Sequence, residues 1–236
     1  MASIYLIRHG QASFGEANYD RLSELGCRQA EMLGEYFERR DIRFDAVYTG
    51  TLERQRKTAA LALGRQISPQ GHQVDARFNE IDNEGQLNTI TPILLDQNPE
   101  LRAWADAAHH SSKDYQKLLE RVFNYWVASG ERGIDSLQTW PEYRDGVRDA
   151  LTQVMGAQGS GTTTAIVTSG GTIATIVAQV LGVSGSGVYQ FYEPVINCSV
   201  TELLYNASKT SMSYYNDHSF LDLLGRESGE ALISYR

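Results

Sequence analysis

Short continuous apolar runs alternate with helical stripes along most of this chain. Ile4, Tyr5, Leu6 and Ile7 form an unbroken run, the pattern of a strand covered on both faces. Leu25, Ala30, Leu33 and Phe37 then recur near helical spacing. Ser23 stands where it can cap the first turn of that helix, and Glu24 suits its positive end. Phe44, Ala46, Val47 and Tyr48 predict a second strand, followed by a turn at Thr49-Gly50-Thr51 and a helix ending near Leu63. Alternation of Val74, Ala76 and Phe78 predicts a third strand that delivers Glu80 and Asp82 at its end. Thr162 to Thr168 reads as a fourth strand, with a turn at Ser169-Gly170-Gly171 and a helix beginning near Thr172. Ser199 to Tyr205 and Ser211 to Tyr215 read as a closing pair. Strands separated by helices predict an α/β domain with a mostly parallel sheet.

The stretch between the third and fourth strands breaks that alternation. Pro99 to Ala108, Lys113 to Val127 and Pro141 to Met155 all carry helical patterns, so residues 86–155 are expected to form a helical insertion or cap within a single domain spanning 1–236. Gly156 to Gly161 and Ser184 to Gly187 read as loops.

Composition narrows the class. With 236 residues and 42% apolar content the chain can bury one sizeable core. No apolar stretch reaches membrane-spanning length, and Met1-Ala2-Ser3 runs straight into the first strand without space for a cleavable leader. The expectation is a cytoplasmic protein. Cys27 and Cys198 are then two free thiols. A net charge of −8 with no cluster of Lys and Arg argues against a nucleic-acid surface. His72, His109 and His110 lack metal-ligand spacing, so neither metal nor other cofactor is expected.

The candidate chemistry starts at Arg8-His9-Gly10-Gln11, where the first strand ends. Open α/β sheets bind ligands at the carboxyl ends of their strands. Arg8 offers a planar fork to phosphate oxygens, and His9 a neutral ring nitrogen able to attack phosphorus. Arg54, in the first turn of the second helix, can supply a second fork; alone it would read as a solvated arginine. Gln11, Ser13 and Asn18 follow the histidine and can donate hydrogen bonds to phosphate or substrate. Ser169 with the backbone N–H groups after it, including that of Gly170, sits where a strand gives way to a helix and can bind an anion. Glu80 and Asp82 compete as proton donor, since extended residues two apart point to the same side.

These motifs occur in an order that resembles the histidine phosphatase superfamily, and its phosphoglycerate mutase-like branch most. The residues that carry the likeness are Arg8-His9-Gly10-Gln11, Leu22-Ser23-Glu24-Leu25-Gly26, Tyr48-Thr49-Gly50-Thr51-Leu52-Glu53-Arg54 with Thr58-Ala59, Phe78-Asn79-Glu80-Ile81-Asp82, Ile166-Val167-Thr168-Ser169-Gly170-Gly171-Thr172-Ile173 and Asn216-Asp217-His218. The resemblance implies a three-layer α/β/α phosphoglycerate mutase-like fold and a phosphomonoester hydrolase working through a phosphohistidine at His9. It further implies Arg8 and Arg54 on the phosphoryl oxygens, and Glu80 as the acid. The chain departs from the family at one place, carrying Ser169 where a second histidine is usual. That departure keeps open a weak or inactive phosphate-binding relative. A phosphoglycerate mutase-type transferase is the other alternative, but Arg102, Lys113, Lys117, Arg121 and Arg132 are scattered among acids and form no second phosphate clamp. Asp217-His218 has the wrong order for the acid-phosphatase His-Asp motif, and Val167-Thr168-Ser169-Gly170-Gly171 lacks the first glycine of a Gly-x-Ser-x-Gly serine hydrolase. The expected partner is a small phosphorylated molecule.

Overall fold

The computed structural model describes residues 1–13, 19–66, 72–108 and 110–235. Its six strands are β1 (Ala2–Arg8), β2 (Ala46–Thr49), β3 (Gln73–Val74), β4 (Thr163–Thr168), β5 (Val200–Tyr205) and β6 (Thr210–Asp217). They lie in the order β3-β2-β4-β1-β5-β6. The first four in that order run parallel, and β5 joins β1 antiparallel and is followed by antiparallel β6. Arg8 pairs in register with Thr168, and Thr49 with Val167. The chain therefore leaves β1, β2 and β4 at the same edge, which is where the candidate residues of three separate motifs converge.

Among the described residues the α-helices are α1 (Glu24–Arg39), α2 (Glu53–Leu63), α3 (Asn83–Gln97), α4 (Arg102–Ala107), α5 (Ser112–Ser129), α6 (Trp140–Ala157), α7 (Gly170–Leu181), α8 (Tyr189–Tyr192) and α9 (Ser219–Ser228). Successive side chains of a strand face opposite ways, and β1 feeds two cores accordingly. Ile7 packs with Leu33, Phe37, Ala59 and Phe220 under α1, α2 and α9. Ile4 and Leu6 pack with Ile166, Val147, Leu151 and Ile173 under α6 and α7. This is the three-layer α/β fold. Of the helices in the expected insertion, α6 packs under the sheet, α3 and α5 add Ile90, Leu94, Leu118 and Val122 to the same core, and α3, α4 and α5 also stand beside the motif residues. No single helix among the described residues is long and apolar enough to cross a membrane.

The third strand is shorter than its alternation predicts. It ends at Val74, and Ala76–Phe78 is a single 3₁₀ turn. Asp75 explains the change: its carboxylate accepts from the Arg77 backbone N–H at 2.9 Å and grips the Arg77 guanidinium, which caps a turn in place of further sheet pairing. Glu80 and Asp82 consequently do not leave an extended strand side by side. The fourth strand and the two closing strands fall where the sequence places them, and α7 begins at Gly170.

Candidate active site

His9 follows the last residue of β1, with its backbone N–H donating to the Thr168 carbonyl at 2.9 Å. The turn beyond it is tight. A side chain at Gly10 would strike the backbone of Gly26 at the start of α1, so glycine is required for β1 and α1 to approach. His9 Nδ1 lies 2.7 Å from the Gly10 carbonyl. A carbonyl only accepts, so Nδ1 carries the hydrogen and Nε2 presents its lone pair. Burial, helped by the charges of Arg54 and Arg8, holds the His9 pKa well below the usual imidazole range. The ring is neutral at physiological pH, as a nucleophile must be.

Arg54 projects from the first turn of α2, and its Nε lies 3.2 Å from His9 Nε2. Asp20 fixes it: one carboxylate oxygen takes Arg54 Nη1 at 2.7 Å and the other takes the Glu53 backbone N–H at 2.7 Å. Thr58, one turn further along α2, donates to the Arg54 carbonyl at 2.8 Å and accepts from the Gly10 N–H at 3.0 Å, tying the helix to the histidine loop. Arg8 is held from the other side. Its Nη1 donates to the Val195 carbonyl and its Nη2 to the Tyr235 carbonyl at 2.8 Å, while Nε is buried without a protein partner. A buried guanidinium N–H left over in this way is costly. Asn216 shapes the segment that holds Arg8, accepting from the Ile196 N–H and donating to the Pro194 carbonyl, each at 2.8 Å.

Glu80 is brought to the site by the N-terminus of α7. Its Oε1 accepts from the Gly171 N–H at 2.9 Å and from the Ile81 N–H at 3.0 Å. A side chain at Gly171 would occupy the place of Glu80 Oε1 and Ile81. Burial raises the Glu80 pKa above the ordinary carboxylate value, against the opposing pull of Arg54 and Arg8. Asp82 is spent differently, as the N-cap of α3, where it accepts from the Gly85 N–H at 2.9 Å. Arg8, His9, Arg54 and Glu80 all line one cavity of about 1190 Å³, roofed by α3, α4 and α5.

The family model for the histidine phosphatase superfamily (branch 1) matches residues 4–218. The chain belongs to this superfamily. No curated protein matches it. Solved structures of similar fold include a phosphoserine phosphatase mutant from Entamoeba histolytica in complex with phosphoserine, at 15% identity and TM-score 0.64, covering 94% of this chain and 100% of that one. A phosphoglycerate mutase from Bacillus anthracis is 18% identical with TM-score 0.64, covering 93% and 94%. The alpha-ribazole phosphatase from Shigella flexneri is 20% identical with TM-score 0.61, covering 91% and 96%. At these identities the three show the fold, which is that of the phosphoglycerate mutase-like superfamily members.

Several residues singled out in the sequence stand elsewhere in this member of the histidine phosphatase superfamily. Gln11 accepts from the Ser23 hydroxyl at 2.8 Å and gives its backbone N–H to Gln29. Ser13 is bound through its backbone to Arg21, and neither residue lines the cavity. Both serve the short ribbon in which Ala12 bridges Leu22. Asn18 lies outside the described residues. Ser169 is completely buried, and its Oγ accepts from Gln55 Nε2 at 2.8 Å. Of the N–H groups after it, that of Gly171 is already committed to Glu80, and Gly170 packs against the Arg8 guanidinium and Tyr192. Asp20 and Gln55 touch Arg54 and Ser169, and Asn79 and Tyr192 line the cavity, none of them marked out by the sequence. Asn79 was within reach of it, standing beside Glu80; its side chain takes the Thr51 N–H at 2.7 Å and donates to Thr51 Oγ1 at 2.7 Å. Tyr192 comes from an unpatterned stretch more than a hundred residues away and had no local signal. Among the described residues no group of three or more His, Cys, Asp or Glu side chains is placed to hold a metal ion.

Proposed function

We propose that this protein is a phosphomonoester hydrolase that works through a phosphohistidine at His9. The observation that carries the reading is the His9 tautomer: the Gly10 carbonyl at 2.7 Å fixes Nδ1 as a donor, so the ring's lone pair is on Nε2, where it accepts from Arg54 Nε at 3.2 Å and would exchange that contact for phosphorus as Arg54 turns to the phosphoryl oxygens. In the first step Nε2 forms a bond to phosphorus as the bond to the ester oxygen breaks, and Glu80 gives its proton to the departing alkoxide. Arg54 and the free Nε of Arg8 stabilise the charge that spreads over the equatorial oxygens. In the second step water attacks phosphorus, the Glu80 carboxylate takes its proton, and the nitrogen–phosphorus bond breaks to return neutral His9 and inorganic phosphate.

Ser169, in the position where the resemblance has a second histidine, leaves the phosphoryl grip to the two arginines and supports a slower enzyme. Free thiols at Cys27 and Cys198 support a cytoplasmic setting. The test is turnover of a panel of phosphomonoesters by the parent, His9→Ala and His9→Asn, with acid quenching to trap phosphoenzyme. Both variants are expected to fold, to lose turnover and to trap no acid-labile phosphate. Turnover by either one at the parental rate overturns the covalent mechanism.

A further inference from the structure

The cavity is much larger than a phosphoryl group requires. Its volume of about 1190 Å³ exceeds the ~300–1,000 Å³ range of ordinary small-molecule sites. Arg8, His9, Arg54 and Glu80 line one part of its wall, and residues of α3, α4 and α5 line another, the arm.

Apolar positions build that arm together with the neutral polar Asn83, Asn88, Thr91 and Gln116. Leu87, Thr91 and Leu95 recur every four residues on α3 and so share one stripe. Ala105 on α4 and Leu118 and Leu119 on α5 face it. The charges run against a second anionic group. Beyond Arg8 and Arg54 the described lining holds a single cation, Arg102, while Asp82, Glu84, Asp96 and Glu193 are acidic. A substrate with a carboxylate or a second phosphate would place that group in a wall of net negative charge, whereas an alkyl or aryl body would bury apolar surface there.

We infer that the substrate class is a phosphomonoester whose alcohol carries one phosphate and an extended apolar body, seated in the arm that α3, α4 and α5 line. This rests on the proposed phosphatase reading for the choice of reaction, but not for the choice of ligand. Each buried methylene is worth about fourfold in affinity, so kcat/KM is expected to rise from butyl to octyl phosphate by between about 10- and 250-fold and to be lower for 3-phosphoglycerate than for either.

The experiment measures kcat/KM for butyl, hexyl and octyl phosphate and for 3-phosphoglycerate, and by calorimetry the affinities of butyl- and octylphosphonate, which cannot be hydrolysed. Ala105→Trp, at a partly buried position, fills the arm and is expected to reduce the octyl-to-butyl ratio toward one in both series; Leu118→Ser is a second variant, replacing an apolar wall group by a polar one. A ratio near one in the parent, or a preference for 3-phosphoglycerate, overturns the inference. Tight binding of octylphosphonate over butylphosphonate without hydrolysis of any ester keeps the ligand class and removes the phosphatase reading.

Discussion

Gln55 Nε2 lies 2.8 Å from Ser169 Oγ, and both side chains are sealed from solvent. The same Gln55 nitrogen donates to the Phe78 carbonyl at 3.0 Å, so both of its hydrogens are used. The pair fastens the first turn of α2 to the junction of β4 and α7, behind the wall of the cavity. Ser169 thus serves as an acceptor inside the protein.

Removing that acceptor should cost stability more than binding. Ser169→Ala leaves one buried N–H of Gln55 without a partner, a penalty of about 1–3 kcal/mol, while KM for a phosphomonoester should stay near the parental value. Denaturant titration and steady-state kinetics measure the two. A large rise in KM with unchanged stability would return Ser169 to the phosphate site.

Ser169→His tests the same contact by overfilling it. The imidazole must share its space with the Gln55 amide, and overpacking of this kind costs about 1–3 kcal/mol. Combining it with Gln55→Ala opens the volume, and the double variant should regain stability over Ser169→His. If the ring then reaches the phosphoryl oxygens, a charge-assisted bond of about 1.5–3 kcal/mol would raise turnover about 10- to 100-fold over the parent. A single variant as stable as the parent would show that Gln55 does not block the position.

Glu80 and Asp82 should separate by leaving group. Glu80→Gln is expected to slow alkyl phosphates far more than nitrophenyl phosphate, because only the alkoxide needs a proton. Asp82→Ala should instead lose about 0.5–2 kcal/mol of stability through the α3 cap, with leaving-group dependence unchanged. A selective kinetic effect in the Asp82 variant would reverse the assignment.

The pH profile follows from the two shifted groups. His9 is reactive only when neutral, and its pKa is lowered, so the acid limb of kcat/KM that belongs to it should fall below pH 6.5. Glu80 donates only when protonated, and its pKa is raised, so the alkaline limb should fall above 4.5. That limb should be present with alkyl phosphates and absent with nitrophenyl phosphate, whose leaving group needs no proton. Persistence of that limb with nitrophenyl phosphate would assign it to another group.

Asp20 should act through Arg54. Asp20→Ala removes the 2.7 Å contact to Nη1, and a guanidinium freed to swing should raise KM about tenfold, the effect of losing roughly 1.4 kcal/mol of binding. Lys or Arg at position 20 should not rescue it, and Glu should in part. Unchanged kinetics in Asp20→Ala would mean that the first turn of α2 alone orients Arg54.

The sequence by itself determined the strands apart from the extent of the third, the α/β class and the order of the motifs, because period-two and helical patterns are written in local burial. It also determined that Arg8 and His9 stand at a strand end. Tertiary structure decided which neighbours share the site. The separate placing of Glu80 on the α7 N-terminus and Asp82 on the α3 cap depended on a 3₁₀ turn closed by Asp75 and on the N–H of Gly171, ninety-one positions from Glu80 in the chain. The role of Ser169 depended on Gln55, and the arm depended on how α3, α4 and α5 lean on one another. Such contacts join residues distant in sequence, and their energies come from desolvation and fixed hydrogen-bond geometry, neither of which leaves a periodic trace along the chain.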